Sequence, residues 1–235
     1  MAPFVLMPPV QEARLLRKTN RFVAEVEVTG AIYTAHVPNT GRLQELLFPG
    51  NTVLVAAKHH PRRKTGWEVL MAYHPSGVLV AIDTRVPNQL FSLGIKARTI
   101  TEFSGYHQIS AEYTFGTSRL DFRLDGLGLP PCLVEVKSVT LAENGIGQFP
   151  DAPTGRGTKH LTALAEAVQK GWRGVIFFMI QREDVTLFRP HDLMDPEFAR
   201  SLRTANKAGV EILAYKCLVE PRGITLDGLV PICLE

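Results

Sequence analysis

The sequence predicts a protein of mixed α and β structure (α+β or α/β), with a domain of β-strands over residues 1–85 and a mixed α/β domain over residues 86–235. The first observation behind this is a series of short runs rich in β-branched residues, separated by turn residues, in the N-terminal third. The second is an alternation of strand-like and helix-like patterns in the remainder. The character of the chain changes near Val86-Pro87-Asn88, which marks the predicted domain boundary.

The N-terminal domain is predicted to be a small antiparallel barrel or sandwich. Short strands at this spacing, separated by turn signals, are typical of both architectures. The segment between Thr40 and Pro49 predicts one short helix among the strands. The predicted strands are RFVAEVEV, AIYTAHV, NTVLVAA, WEVLMAY and GVLVAI, and the predicted helix is GRLQELLF.

The second domain is predicted to contain helices and strands in mixed order. TKHLTALAEAVQKG is the clearest helix, with Thr158 as its predicted N-cap and Gly171 as its stop. RGVIFFMIQR is almost continuously apolar, which indicates a strand covered on both faces. The other predicted helices are NQLFSLGIKA and the segment from Pro196 to about Ala208, and the other predicted strands are QISAEYTF, SRLDFRL, PPCLVEVKS, VTLFRP and GVEILAYKC.

Composition predicts a protein of the cytoplasm. The three cysteines, Cys132, Cys217 and Cys233, fit neither a disulfide framework nor a zinc site, which indicates a reducing compartment. The N-terminal residues do not have the pattern of a signal peptide. No apolar stretch approaches the roughly 18 residues needed to span a bilayer, so no membrane partner is expected. The oligomeric state is not indicated by the sequence.

The distribution of charge is compatible with a polyanionic partner. Residues 1–64 hold nine Lys and Arg residues against four acidic residues, a balance of +5, whereas the remainder holds 17 against 19, a balance of −2. A basic N-terminal segment of this kind would attract nucleic acid. Solvated surface side chains would give the same asymmetry, and charge alone does not decide between the two.

The residues most suited to catalysis are Asp121 in SRLDF and the pair Glu135 and Lys137 in VEVKS. If the two predicted strands pair as a hairpin, Asp121 and Glu135 converge at the same end. Glu135 and Lys137 are two residues apart, so their side chains leave the same face of the strand. Buried charges on such a strand are costly unless they are paired or bind metal.

This grouping suits metal-dependent hydrolysis of a phosphodiester. Two carboxylates, with a carbonyl such as that of Val136, would bind Mg²⁺ or Mn²⁺, and the metal would activate a water molecule. Lys137 would orient that water or stabilise charge in the transition state. The alternative is a structural salt bridge between Glu135 and Lys137, with Asp121 at a turn or strand end.

Several motifs together resemble the sugar fermentation stimulation protein A family. They occur in the order HVPNTGRLQELL, RRKT, IDTRVPN, SRLDF, VEVKSVTL, FPDAPTGRGTKHL, FMIQR and GVEILAY, and FPDAPTGRGTKHL is especially distinctive. The resemblance implies an N-terminal OB-fold-like β-barrel and a restriction-endonuclease-like C-terminal domain with a PD-(D/E)XK core. It also implies DNA binding and a role in regulating sugar metabolism.

The resemblance also implies roles for particular residues. The nuclease-like signature falls on Asp121, Glu135 and Lys137. A polar residue on the strand after the core helix often completes such a site, and Gln181 in FMIQR is its match. An acid on the first helix often contributes, for which Glu102 is the candidate.

Four segments are candidates for contact with nucleic acid. The turn HVPNTGRL, with Arg42, would bind phosphate at the start of a helix, or would simply cap that helix. Residues Arg17, Lys18 and Arg21 near Phe22 would form the basic and aromatic surface that OB-like barrels use, unless Phe22 belongs to the core. The other candidates are Arg62, Arg63 and Lys64 at a cationic turn, and Asp151, Arg156, Lys159 and His160 in FPDAPTGRGTKHL, which would hold a phosphate or a leaving group.

The leading hypothesis is therefore a DNA-binding protein with a Mg²⁺- or Mn²⁺-dependent phosphodiesterase site, for single- or double-stranded DNA. The main alternative is a regulator that binds DNA without cleaving it and keeps the acids as vestiges. A third possibility is an enzyme acting on a sugar phosphate, whose binding would depend little on salt. The sequence has no helix-turn-helix pattern, which argues against recognition of an operator.

Overall fold

The computed structural model describes residues 2–58 and 65–235 and divides them between a barrel and a larger sheet covered by helices. The barrel is a six-stranded sheet in which β2 is followed by β5 on one side and by β3 and β4 on the other. Parallel pairing of β4 with β6, for example Ala35 opposite Trp67, closes the sheet. Its strands are β2 (Gln11–Asn20), β3 (Val23–Val28), β4 (Ala31–His36), β5 (Thr52–Ala57), β6 (Trp67–Tyr73) and β7 (Leu79–Ala81), after the short strand β1 (Phe4–Leu6).

Alternation of side chains along the barrel strands builds the barrel's core. In β3, Ala24, Val26 and Val28 are buried while the residues between them are partly exposed. This period of two is what a strand with one face on a core requires. The five predicted strands of the barrel correspond to β3–β7, whereas the ten-residue strand β2 is not among the predicted strands.

The second domain has a seven-stranded sheet in the order β1-β16-β15-β13-β10-β9-β8. The central strands β10, β13 and β15 are parallel to one another, and the outer pairs are antiparallel. A small sheet of β11, β12 and β14 lies beside it. The strands are β8 (Gln108–Phe115), β9 (Ser118–Asp125), β10 (Cys132–Val139), β11 (Ala142–Glu143), β12 (Ile146–Phe149), β13 (Arg173–Ile180), β14 (Leu187–Pro190), β15 (Glu211–Glu220) and β16 (Gly223–Leu229).

Helices cover both faces of this sheet. They are α1 (Val86–Lys96), α2 (Gly155–Gln169) and α3 (Pro196–Lys207), with a 3₁₀ turn at Thr101–Phe103. Phe177 on β13 packs against Phe91 of α1, with ring centroids 5.1 Å apart. Its neighbour Phe178 lies in the separate cluster that contains Leu161 and Leu164 of α2. The continuous apolar run in β13 is thus explained, as predicted, by burial on both faces.

The N-terminal end of the segment 1–85 attaches to the second domain. Strand β1 pairs with β16 of the second domain, with Val5 opposite Ile224. Met7 continues this attachment, since its N–H donates to the carbonyl of Arg222 and its side chain joins the core under α1. A three-residue strand has too little pattern of its own to reveal its partner, which is chosen by tertiary contacts.

The helix predicted for GRLQELLF is also wrong, because this segment forms turns. Leu43 adopts a φ of +52°, and the N–H groups of Leu46 and Leu47 both donate to its carbonyl. All three leucines are buried in the barrel core. The spacing of the leucines therefore reflects a buried turn. A short apolar pattern does not distinguish such a turn from a helix.

Helix α2 begins earlier than predicted. Its N-cap is Thr154, whose Oγ1 accepts a hydrogen bond of 3.1 Å from the N–H of Gly157, and not Thr158. Asp195 accepts a 2.7 Å hydrogen bond from the N–H of Thr154 and caps α3 as well. The shift places Lys159 and His160 in the second turn of α2, so that His160 faces the sheet.

Candidate metal and nucleic-acid site

Two neighbouring strands carry the acidic pair. β9 and β10 form the expected antiparallel hairpin, with Val134 opposite Phe122. Glu135 and Asp121 adjoin this pair, one on each strand, and Oδ2 of Asp121 accepts a hydrogen bond of 2.8 Å from the N–H of Val136. The structure thus brings together the two carboxylates that the sequence singled out.

One oxygen of Glu135 is held by two cationic or polar groups, and the other has no partner. The residue is only 3% exposed. Its Oε1 accepts a hydrogen bond of 2.6 Å from Nζ of Lys137 and contacts Nδ1 of His160. Its buried Oε2 has no hydrogen-bond partner among the described residues. A buried carboxylate oxygen without a partner is costly unless it binds a cation, so this atom is the expected point of contact with a metal ion.

His160 connects Glu135 to a cleft residue. Nε of Arg156 donates to Nε2 of His160 at 3.3 Å. Because Nε2 accepts, the hydrogen-bond pattern assigns the ring proton to Nδ1, which donates it to Glu135. His160 therefore orients the carboxylate in the way that second-layer groups orient metal ligands.

The surroundings shift the pKa values of the two carboxyl groups in opposite directions. Burial alone would raise the pKa of Glu135, but the hydrogen bond from His160 and the charge of Lys137 outweigh it and hold that pKa below its usual value. Burial, together with the charge of Glu135, raises the pKa of Asp121, although the N–H of Val136 and the amide of Asn88 oppose this. A divalent cation bound between the two carboxylates would offset both the cost of burying their charges and the repulsion between them.

The acidic pair lines a cleft of about 450 Å³ between the two domains. The barrel contributes Arg21 and the turn 39–41. The second domain contributes the acidic pair, Lys137, Ser138 and the segment 149–154. The reactive groups therefore lie where the barrel meets the hairpin β9–β10.

A direct contact between the domains shapes this cleft. Oδ2 of Asp151 accepts a hydrogen bond of 3.1 Å from the N–H of Leu43. Asn39 holds the same turn, since its Oδ1 accepts from the N–H of Gly41 at 2.7 Å. The turn HVPNTGRL therefore neither caps a helix nor offers helical amides to a phosphate, and both sequence-based interpretations are corrected.

Replacing Gly41 by alanine is expected to loosen this contact. A Cβ at Gly41 would lie 2.7 Å from Oδ1 of Asp151, so either the turn or the carboxylate must shift. We expect the free energy of unfolding in urea to fall by about 1–3 kcal/mol. Gly155→Ala is the matched control, because nothing lies within 4 Å of its Cβ position. Equal unfolding free energies for the two variants would contradict the role given to the Asp151 contact.

The predicted nucleic-acid contacts divide into three groups. Arg21 and Arg156 line the cleft, and Arg42 lines an adjoining cavity. Arg17 is instead paired with Glu25 through two hydrogen bonds of 2.8 Å on the barrel surface, while Lys159 is exposed and lines neither cavity. Arg62, Arg63 and Lys64 lie outside the described residues.

Gln181 lies behind the site and does not line the cleft. It is fully buried, and its Nε2 donates to Oγ of Ser138 at 2.9 Å and to the carbonyl of Asp83 at 3.3 Å. Its backbone carbonyl accepts from the N–H of Ala81, so it also ties the barrel to the sheet. Among the described residues, Gln181 contacts the cleft residue Ser138 but does not itself line the cleft, so a direct contact with the attacking water is not supported.

Glu102 lies outside the site, whereas Asn88 of the first helix contacts Asp121. Oε2 of Glu102 accepts a 2.7 Å hydrogen bond from the hydroxyl of Tyr215, outside the cleft. Nδ2 of Asn88, in the first turn of α1, donates to Oδ1 of Asp121 at 2.9 Å. The sequence signal for Asn88 was its position at the start of the predicted helix NQLFSLGIKA.

The donor set fits a hydrated hard cation. Among residues 2–58 and 65–235 no three side chains of His, Cys, Asp or Glu are grouped to hold a metal by themselves. Mg²⁺ is commonly held through one or two carboxylates and keeps several waters. Asp121 and the free Oε2 of Glu135 match that requirement, and Val136, whose carbonyl is a predicted further ligand, also lines the cleft.

Two family models match the chain. The model described as the SfsA N-terminal OB domain matches residues 16–82, and the model described as the sugar fermentation stimulation protein RE domain matches residues 85–223. These matches confirm the expected OB barrel and restriction-endonuclease-like domain. Within the described part of the chain, none of the helices combines the length and apolar character needed to cross a membrane.

Individual relatives are similar over almost the whole length. The sugar fermentation stimulation protein homolog of Alkaliphilus metalliredigens is 45% identical, over 90% of this chain and 91% of its own. The homolog of Chloroflexus aggregans is 42% identical, over 99% of this chain and 89% of its own. The solved structure of Pyrococcus furiosus SfsA in complex with Ca²⁺ is 31% identical, covers 99% of both chains and has a TM-score of 0.90.

Proposed function

Since the chain belongs to the sugar fermentation stimulation protein family, we propose that it is a DNA-binding phosphodiesterase whose divalent metal ion is held by Asp121 and Glu135. The single observation that carries the proposal is the buried, unpartnered Oε2 of Glu135, beside a second carboxylate and a lysine. A structural salt bridge with Lys137 would account for Oε1 but leaves Oε2 without a function.

The choice of metal follows from the ligand atoms. Carboxylate oxygens favour hard cations, and Mg²⁺ or Mn²⁺ are the proposed cofactors. Binding of Ca²⁺ by the Pyrococcus furiosus relative supports a divalent-cation site, because Ca²⁺ takes oxygen ligands of the same kind. When bound, the metal would act as a Lewis acid on the phosphate and lower the pKa of a coordinated water.

The protein's own residues would position the substrate and the attacking water. The ammonium of Lys137 lies 2.6 Å from Glu135 Oε1, and its side chain is only 12% exposed. Because this positive charge is shielded from water, it would strongly stabilise the negative charge that develops on the phosphate. Asn88 and the N–H of Val136 hold Asp121 in one orientation.

The basic residues around the cleft supply the attraction for DNA. Arg21 and Arg42 form no ion pair with a carboxylate in the described ranges, and Arg156 donates only to His160. Guanidinium groups without a carboxylate partner are available for phosphate oxygens. Binding through them is expected to weaken steeply as salt rises, which would distinguish DNA from a small sugar phosphate.

A DNA-binding regulator without catalytic activity is the second candidate. One observation favours it: the first helix presents an amide, Asn88, to Asp121, while the candidate acid Glu102 lies outside the cleft. With one carboxylate ligand fewer, the site would bind a metal ion less tightly. Such a protein would bind DNA equally well with or without metal.

Cleavage of end-labelled DNA by the wild-type protein separates these candidates. Single- and double-stranded substrates would be incubated with Mg²⁺, Mn²⁺, Ca²⁺ or EDTA, and binding would be measured in parallel. Cleavage in Mg²⁺ or Mn²⁺ that stops in EDTA is the expected result. DNA binding that persists in EDTA, with no cleavage under any condition, would overturn the proposal in favour of the regulator.

His160 is expected to act as a positioning residue for the metal ligand. In His160→Ala the carboxylate of Glu135 loses one of its two donors, so we expect the affinity for Mn²⁺ to fall about tenfold or more. DNA binding in EDTA should not change. His160→Asn restores an N–H near the position of Nδ1 and should recover most of the affinity.

Calorimetric titration with Mn²⁺ gives the readout, and His107→Ala, at an exposed histidine, is the control. If His160→Ala bound Mn²⁺ like the wild type, the positioning role would be ruled out.

A further inference from the structure

We infer that this site acts on single-stranded DNA, which it receives along a basic groove that passes the aromatic ring of Phe22. The inference rests on the proposed function, because it names the substrate class of the same site. Three observations carry it: the depth of the reactive groups, the course of the groove and the exposure of Phe22.

The reactive groups are recessed between two domains that contact each other. Glu135 is almost completely buried, and the cleft leading to it is about 450 Å³. The turn at Gly41 and the segment at Asp151 meet at one edge of this cleft through the hydrogen bond to Leu43. A cleft of this volume accommodates a ligand of small-molecule size, such as one or two nucleotides.

Duplex DNA is poorly suited to such a cleft. It is stiff over about 150 base pairs, so its backbone does not bend into a cleft that accommodates only one or two nucleotides. A single strand has free backbone torsions and can bend into the cleft without unpairing. The recessed position of Glu135 and Lys137 therefore favours the single strand.

A second cavity extends the cleft across the barrel. It measures about 410 Å³ and shares Arg21, Gly41 and Pro153 with the first cavity, to which it adds Arg42. Lys18 fixes its wall, since its Nζ donates to the carbonyls of Gly41 and Arg42 at 3.0 and 3.1 Å. Arg21 and Arg42 thus follow one another along a continuous groove, which is how single-strand sites track a phosphate backbone.

Phe22 lies on a turn and is the neighbour in sequence of Arg21, which lines both cavities. It is 46% exposed although it is a large apolar residue. Its N–H donates to Oδ1 of Asn20 at 2.8 Å, and its carbonyl accepts from the N–H of Val37 at 2.8 Å. An exposed aromatic ring on a fixed backbone, next to an arginine, is suited to stacking on an unpaired base.

The inference can be tested by binding in EDTA, where no cleavage takes place. Fluorescence anisotropy would compare a labelled strand of about 16 nucleotides with its duplex and with an RNA strand of the same sequence. We expect the DNA strand to bind at least about tenfold more tightly than the duplex. Phe22→Ala should weaken binding of the strand about five- to tenfold and leave binding of the duplex unchanged.

Matched variants identify the source of the effect. Phe22→Leu keeps an apolar side chain without a ring and should behave like Phe22→Ala. Arg21→Ala should reduce the salt dependence of strand binding by about one released ion, whereas Arg200→Ala, at an exposed arginine on α3 that lines neither cavity, should not.

Three results of the binding measurement would overturn the inference: a duplex bound as tightly as the strand, no effect of Phe22→Ala, or RNA bound tenfold more tightly than DNA. Because the measurement is made without metal, its outcome is independent of catalysis. Metal-dependent cleavage of duplex DNA alone would refute the single-strand substrate while leaving the proposed function intact.

Discussion

Glu135→Gln is expected to lower metal-dependent cleavage of DNA by at least about a thousandfold. The substitution keeps the size of the side chain but removes the charge that the free Oε2 offers to the metal. Lys137 and His160 keep a carbonyl oxygen to which they can donate, so the local packing is retained. The rate would be measured on end-labelled DNA in Mg²⁺ and in Mn²⁺, with circular dichroism to verify folding.

Glu143→Gln is the matched control for this prediction. Glu143 is exposed on β11, and the same change there should leave cleavage unaltered. DNA binding in EDTA should be equal for both variants and the wild type. A folded Glu135→Gln protein that cleaves at the wild-type rate would show that the carboxylate has no part in catalysis.

Lys137→Met is expected to lower the cleavage rate about 100- to 1,000-fold without weakening the binding of metal. The ammonium lies 2.6 Å from Glu135, so it competes with a cation for the same carboxylate. Its removal should therefore leave the affinity for Mn²⁺ unchanged or raise it. Methionine fills the space of the buried stem, and the rate and the Mn²⁺ affinity would be measured on the same preparation.

This separation distinguishes catalysis from structure. If Lys137 only neutralised Glu135, its loss would lower stability and have no selective effect on the chemical step. Lys207→Met, at an exposed lysine near the end of α3, controls for the loss of one positive charge. Parallel loss of metal affinity and cleavage in Lys137→Met would contradict the role proposed for the ammonium.

Local pattern was sufficient to predict the acidic pair. The alternation in SRLDF and VEVKS gave the strands, and a short Gly- and Pro-rich connection between them favoured a hairpin. In an antiparallel hairpin the register follows from the turn, so that Asp121 and Glu135 become neighbours. The pairing of Glu135 with Lys137 follows from their spacing of two along one strand.

Contacts between distant segments could not be predicted in this way. The hydrogen bond from Leu43 to Asp151 joins residues 108 positions apart, and no local pattern indicates it. The pairing of β1 with β16 also joins segments that are far apart in the sequence, and it could not be predicted for the same reason. Both depend on how complete domains pack, which single-segment periodicity does not encode.

His160 shows how a small error in a helix boundary hides a functional contact. The N-cap predicted at Thr158 placed His160 at the beginning of the helix, among residues for binding phosphate. The actual cap at Thr154 moves it one turn inward, where its ring reaches Glu135. Helix boundaries are the least certain part of a sequence-based prediction, and here four residues decide whether the histidine faces the cleft or contacts Glu135.

The arrangement of the domains links binding to chemistry. The barrel contributes Arg21 and the turn 39–41 to the same cleft that contains the acidic pair. Under the proposed function, a strand held by the barrel would be presented directly to the carboxylates, and part of the binding energy would be used for positioning. Neither domain alone contains the whole cleft.

The most direct test of the metal site is calorimetric titration of the purified, metal-free protein with Mn²⁺, comparing the wild type with Glu135→Gln and Glu143→Gln. We predict saturable binding by the wild type and by Glu143→Gln, and an affinity lowered about 100-fold or more in Glu135→Gln. Equal binding by all three proteins, or no binding by the wild type, would contradict a metal site at Asp121 and Glu135.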